Sequence, residues 1–239
     1  MTDNVLTISG IHKSFGGLQV INDVSMNVRR GSRTALIGPN GAGKTTVFNL
    51  LTGVYPIDEG TIVLDGTDVS HVPSQDRVIH GMSRSFQNIR LMPHLSTIEN
   101  VMLGQHSRAR SIGSLMFPLG LLCRNRWRLE AEQALQDSGI GTYPGEVVAN
   151  LPYGFQKRIE VVRAMVSQPK LLLLDEPTSH LDLHYRIQIL DKLRAHCRDH
   201  GKALLMVLHD INLAARFADR VLLLLGDGEV RLGRKQEIL

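Results

Sequence analysis

The octapeptide Gly38-Pro39-Asn40-Gly41-Ala42-Gly43-Lys44-Thr45 constrains this chain more than any other segment. It fits the G-x-x-x-x-G-K-[ST] pattern. It lies between an apolar run, Thr34 to Ile37, that reads as a strand and a stretch, Thr45 to Leu51, that reads as a helix. Glycines at this spacing let the backbone wrap closely around phosphates with its N–H groups turned inward. The following helix offers its unpaired first-turn amides and positive dipole end to the same anion. Lys44 is then placed to reach β- and γ-phosphates, and the Thr45 hydroxyl to ligate Mg²⁺. Gly38 to Thr46 are the expected cradle for ATP or GTP.

The rest of the chain reads as α/β with a helical interruption. Val5 to Ile8, Val24 to Val28 and Thr61 to Leu64 are short strand-like runs, punctuated by Gly16-Gly17, Arg30-Gly31 and the tight turn Asp65-Gly66. From about Ile89 to Asn150 such runs vanish. Thr97 to Leu103 and Arg126 to Gln136 suggest helices there, and Gly113, Pro118 and Gly120 predict only short helices between them. A helix resumes from Gln156 to Ser167. Three continuous apolar runs follow, Leu171 to Leu174, Ala203 to Leu208 and Val221 to Leu225, as expected of buried parallel strands.

The first of these runs ends in Asp175-Glu176. An acid at the carboxyl end of a parallel strand, beside a phosphate loop, is where a Mg²⁺-holding group belongs, which points to Asp175. Glu176 can then position or deprotonate an attacking water. Taken without the loop, the pair also reads as two exposed acids ending a buried strand.

Composition narrows the class further. With 239 residues, 43% hydrophobic and 21% charged, the chain has the makings of a folded core and is a poor candidate for disorder. The formal charge of +4 is scattered, and its densest run, Arg108, Arg110, Arg124, Arg126 and Arg128, reads as a solvated or partner-facing surface, so no nucleic acid is expected. Cys123 and Cys197 lack metal-type spacing, which predicts neither disulfide nor zinc site but thiols in a reducing compartment. Met1-Thr2-Asp3-Asn4 has no basic or apolar lead, so no signal peptide is expected. Apolar runs such as Val221 to Leu225 fall far short of the ~18 residues of a spanning helix. Any membrane role is expected to come through a partner.

Along essentially its whole length the chain resembles the ATP-binding cassette (ABC) family. The resemblance implies an α/β fold: a P-loop NTPase core with a mainly parallel sheet, an N-terminal antiparallel β subdomain and an inserted α-helical subdomain. It implies one ABC ATPase domain over 1–239, with 1–88 and 156–239 as nucleotide-binding core and about 89–155 as helical subdomain. Phe15, in Lys13-Ser14-Phe15-Gly16-Gly17-Leu18, falls where the family stacks an aromatic on adenine, a core phenylalanine being the competing reading. Gln87, in Ser85-Phe86-Gln87-Asn88, matches the glutamine that contacts Mg²⁺ or water and links the core to the helical insert. His209, in Leu208-His209-Asp210, matches the histidine that senses the γ-phosphate. Ser179-His180-Leu181-Asp182 matches the segment that crosses to a partner subunit, with His180 where the family often has a smaller residue. The family's Leu-Ser-Gly-Gly-Gln signature stands here as Leu151-Pro152-Tyr153-Gly154-Phe155. Pro152 offers neither hydroxyl nor N–H. Gly154 and the start of the helix expected near Gln156 keep backbone donors for the phosphate, so hydrolysis is expected to survive.

The implied function is that of an ATPase subunit, with ATP and Mg²⁺, powering a solute importer. Its implied partners are transmembrane permease subunits, a second cassette (identical or related) and, indirectly, a periplasmic or extracellular solute-binding protein. Its implied place is peripheral, on the cytoplasmic face of the inner membrane. Pro152-Tyr153-Gly154, Leu51 to Pro56, Ser85 to Leu91, Ile98 to Val101 and the arginine-containing insert between Gly104 and Arg128 resemble branched-chain amino acid importer cassettes. Asp175 to Leu183 and His209 to Arg220 look more like iron-chelate and haem importer cassettes. Because the first half carries the permease-gripping segments, branched-chain or related amino acids are the leading expectation and iron-chelate or haem import the alternative. A soluble ABC ATPase without a transport role, or a regulatory module that binds nucleotide and rarely hydrolyses it, are the rivals from other classes.

Overall fold

A computed structural model describes residues 3–85, 89–109, 119–141, 143–226 and 230–238. Two twelve-residue strands, β1 (Asn4–Phe15) and β2 (Leu18–Arg29), open the chain and pair antiparallel down to Phe15↔Leu18. The expected strands Val5 to Ile8 and Val24 to Val28 are only part of them. Register shifts between Ile8 and Ile11 and between Ile11 and Lys13 break the alternation that marks a strand in sequence. Then come β3 (Arg33–Ile37), α1 (Lys44–Leu51), β4 (Glu59–Leu64), β5 (Thr67–Asp68), α2 (Ser74–Arg77) and β6 (Met82–Ser85). The helical stretch holds α3 (Thr97–Leu103), α4 (His106–Ala109), α5 (Leu119–Asp137) and a 3₁₀ turn at Val148–Asn150. It leads into α6 (Tyr153–Val166), β7 (Leu171–Asp175), α7 (Leu183–His200), β8 (Ala203–Val207), α8 (Ile211–Phe217), β9 (Arg220–Leu224), β10 (Val230–Arg234) and α9 (Lys235–Ile238). Gly120 sits inside α5, which is longer than the expected Arg126 to Gln136, while Gly113 and Pro118 lie outside the described residues.

Two sheets result. One is antiparallel, in the order β2-β1-β4-β5. The other has the order β10-β9-β3-β8-β7-β6, parallel from β9 to β6 with β10 antiparallel at its edge. The leucine-rich strands serve two cores by alternation, which is why they read as unbroken apolar runs. Leu171, Leu173, Leu205 and Leu222 face a cluster shared with α1 and the antiparallel sheet. Leu172, Leu174, Leu204, Met206 and Val221 face one shared with α7 and α8. Cys197 belongs to that second cluster, and burial pushes its thiol up to about 12, so it behaves as a small apolar side chain. Asp65, in the β4–β5 turn, ties the sheets together by accepting from Arg30 and Lys170, both at 2.6 Å.

Helix α1 carries Lys44 and Thr45 and ends against a buried arginine. Arg77 is 2% exposed and donates to the carbonyls of Leu50, Leu51, Ser70 and Val72. A cation on the last carbonyls satisfies orphan acceptors and suits the helix dipole.

A third cluster fills the helical stretch. Ile98, Val101, Ala131, Leu135 and Ile140 pack there with Ile159, Val162 and Val166 of α6, while Val161 and Ala164 on the same helix join the α7–α8 core. The division expected at residues 155 and 156 therefore falls inside a helix that faces both ways. No helix among the described residues is long and apolar enough to cross a membrane. Gly104 sets the approach of α3 to α6: a Cβ there would lie 2.1 Å from the Arg163 carbonyl oxygen and 2.9 Å from Val166 Cγ2. Gly104→Ala is expected to cost about 2 kcal/mol of unfolding free energy. Urea titration checks this: the midpoint should fall with the slope unchanged, and an unmoved midpoint would show that the helices part freely.

Candidate functional site

The loop leaves β3 at Gly38, where a Cβ would meet the Leu224 carbonyl oxygen at 2.5 Å, so only glycine allows the turn. Gly41 and Gly43 follow with φ of 85° and 90°, in the left-handed region. Pro39, Asn40, Gly41 and Thr45 are exposed, whereas Ala42 is packed into the core. Gly43 is the N-cap of α1, and its carbonyl accepts from the Val47 N–H at 2.8 Å. The amides of Lys44, Thr45 and Thr46 thus have no partner within the helix and lie at its positive end.

Lys44 is 7% exposed, and its Nζ donates to the Gly38 and Pro39 carbonyls, each at 2.8 Å. Burial lowers its pKa, and the nearby Glu176 and Asp175 carboxylates act in the opposite direction, so both acids lie within Coulomb reach of the ammonium. Asp175, at the end of β7, is 2% exposed and accepts on Oδ2 from Arg84 Nη2 at 2.8 Å. Glu176 comes next with φ 50°, a conformation uncommon for a residue with a side chain. The Ser179 N–H and hydroxyl hold that turn by donating to the Glu176 carbonyl at 3.2 and 2.9 Å. Glu176 Oε1 lies 2.5 Å from Nε2 of the half-exposed His209, just past β8.

The segment with the altered signature is organised by its proline. Pro152 is the N-cap of α6, and its carbonyl accepts from the Phe155 and Gln156 N–H groups at 2.9 and 3.2 Å. The helix begins at Tyr153 rather than near Gln156, because a residue with φ already near −65° and no N–H loses nothing at a helix start. The Tyr153 ring stands edge-on to His180, centroids 5.8 Å apart, so the turn touches the Ser179–Asp182 segment. A Cβ at Gly154 would lie 3.4 Å from Leu181 Cδ2, an ordinary contact.

The folded chain therefore gathers the loop, Lys44, Asp175, Glu176 and His209 into one connected group. Phe15 and Gly154 are held by other contacts. Phe15 packs edge-to-face on Tyr55 at 5.2 Å under the Lys13 ammonium at 5.4 Å, and Gly154 lies beside Leu181. Gln87 lies outside the described residues. Arg84 was not foreseeable from sequence. Met82-Ser83-Arg84-Ser85 has one apolar residue, and only the parallel pairing of β6 with β7 brings the arginine to Asp175.

Known proteins resemble this chain along most of its length. The family model described as ABC transporter matches residues 21–179. The high-affinity branched-chain amino acid transport ATP-binding protein LivG of Escherichia coli K12 is 36% identical over 225 residues, covering 92% of this chain and 88% of LivG. The ADP conformation of the cassette MJ1267 superposes with a TM-score of 0.83 at 25% identity, covering 99% of this chain and 94% of that one. The cassette MJ0796, dimeric in a post-hydrolysis state bound to ADP and Pi, gives 0.82 at 25% identity over 96% and 98% of the two chains. The chain belongs to the ABC transporter family, as an ATP-binding subunit that hydrolyses ATP to power transport.

Proposed function

We propose that this cassette drives import of branched-chain or closely related amino acids, and that two cassettes hold each ATP between them. The observation that carries the catalytic part is the connected group from loop to His209, with both acids acting on the Lys44 ammonium and Glu176 2.5 Å from the imidazole. The loop from Gly38 through Gly43 wraps the phosphates with its amides, joined by those of Lys44, Thr45 and Thr46. Lys44 meets the β- and γ-phosphates. Glu176 orients the attacking water and takes its proton, and His209 steadies that carboxylate and touches the γ-phosphate.

Magnesium fits as an ion that arrives with its nucleotide. Among the described residues no group of three or more His, Cys, Asp or Glu side chains could hold a metal unaided. The Thr45 hydroxyl, the Asp175 carboxylate and Gln87 would be the residues to hold it, oxygen donors of the kind that Mg²⁺ takes. When bound, it neutralises charge developing on the phosphates.

Phe15, 40% exposed and pinned by Tyr55, stacks on the adenine. Gly154 and the first turn of α6 offer amides to the ATP of the opposite cassette, and the dimeric MJ0796 structure supports such an arrangement. The LivG alignment supports the solute, since its 225 residues run into the C-terminal third. Permease subunits, a solute-binding protein outside the cell and a peripheral place on the cytoplasmic face follow from that reading. The stretches Asp175 to Leu183 and His209 to Arg220 favour iron-chelate or haem import as the second reading.

Glu176→Gln is expected to keep nucleotide affinity and lower turnover by about 10²-fold or more, with ATP trapping a dimer visible by size-exclusion chromatography. Hydrolysis at the parental rate would overturn the role given to Glu176. Affinity purification of the tagged chain from gently solubilised membranes is expected to recover two integral permease proteins and a second cassette. A single permease type with this cassette alone would move the solute to iron chelates, and no membrane protein at all would refute import.

A further inference from the structure

Arg84 lies on β6, the edge strand beyond β7, and has no part in the chemistry above. Yet its guanidinium joins two elements of the nucleotide site. Nη1 donates to Asn49 Oδ1 at 2.7 Å and to Thr52 Oγ1 at 3.1 Å, on α1 and at its C-cap. Nη2 donates to Asp175 Oδ2 at 2.8 Å. The cation packs against the Phe48 ring, with Cζ 5.6 Å from the centroid, and the Arg84 and Asp175 side chains are 7% and 3% exposed.

We propose that Arg84 is a positioning residue for metal-nucleotide binding, locking the Asp175 carboxylate to the helix that carries Lys44 and Thr45. The inference rests on Asp175 and Thr45 serving Mg²⁺ as described above. A carboxylate this deep requires a charged or hydrogen-bonding partner. Arginine supplies one whose planar fork reaches acceptors on two elements at once, which a lysine point charge does not. The fork engages Oδ2, and an ionised carboxylate held in this way keeps acceptor capacity for a cation. The same fork grips Asn49 and Thr52, one to two turns beyond Thr45. Arg84 thus ties the helix that carries the Thr45 hydroxyl to the Asp175 carboxylate. Phe48 below the guanidinium and Thr52, whose hydroxyl donates to the Phe48 carbonyl at 2.8 Å, keep the fork from swinging away.

The test is calorimetric titration of ADP into the purified full chain, in EDTA and at stepped Mg²⁺ concentrations, with thermal melts to confirm folding. Arg84→Met is expected to leave affinity in EDTA within about twofold, and to raise the Mg²⁺ concentration giving half of the metal-dependent gain by about tenfold, the scale for partners of metal ligands. Arg84→Lys should recover part of the shift, and it carries the test if the methionine variant does not fold. In an Asp175→Asn background Arg84→Met should add nothing to the Mg²⁺ dependence. An unchanged Mg²⁺ titration in a folded Arg84 variant would overturn the proposal. So would an equal loss of affinity in EDTA and in Mg²⁺, which would make Arg84 a brace of the phosphate loop alone. A parent chain whose ADP affinity ignores Mg²⁺ would instead remove the metal site, and this inference with it.

Discussion

Helix α1 has eight residues, too few to persist unaided in water, and the amides that face the phosphates are only as well placed as this helix is. Its tertiary surroundings hold it from every side. Gly43 presses its first turn onto β2, Phe48 and Leu51 bury into the core between the sheets, and Arg77 closes its last carbonyls. The phosphate-binding geometry is thus inherited from the packing of two sheets around one short helix.

Charge in the site is arranged the same way. A lysine, two carboxylates and an imidazole converge where β3, β7 and β8 end, the usual place for chemistry in a parallel sheet. Each is restrained by the backbone that delivers it. Lys44 is bound to its own loop's carbonyls, Glu176 is held in a left-handed turn by Ser179, and Asp175 is gripped from the neighbouring strand. Little reorganisation is left for the moment when phosphates arrive, which is the economy that preorganised sites exploit.

How much of this was legible beforehand depended on contiguity. Gly38 to Thr45, the run from Leu171 to Glu176, and His209 after its strand all carry their meaning within a few neighbouring residues, and reading them in order placed the loop, the acids and the parallel sheet. Contacts between remote segments left no such mark. Arg84 and Asp175 are 91 positions apart, and Arg77 reaches back 26 positions to Leu51. Bulges hid the length of β1 and β2, because an extra residue moves later side chains to the opposite face. The early start of α6 was hidden by Pro152, whose fixed φ suits the position before a helix as well as a break within one.

The two-faced packing of α6 bears on how the molecule comes apart. Ile159, Val162 and Val166 complete the apolar interior of the helical stretch, while Val161 and Ala164 are bonded by packing to the sheet. Deprived of α6 the helical stretch would have an open side, so it is not a foldon that could be excised intact. Local melting there would strip one flank of α6 bare and draw protection from exchange out of its amides as well. Hydrogen-exchange rates in α3 and in the later turns of α6, from Ile159 to Val166, should rise and fall together, making that half of the helix a reporter of order in the helical stretch.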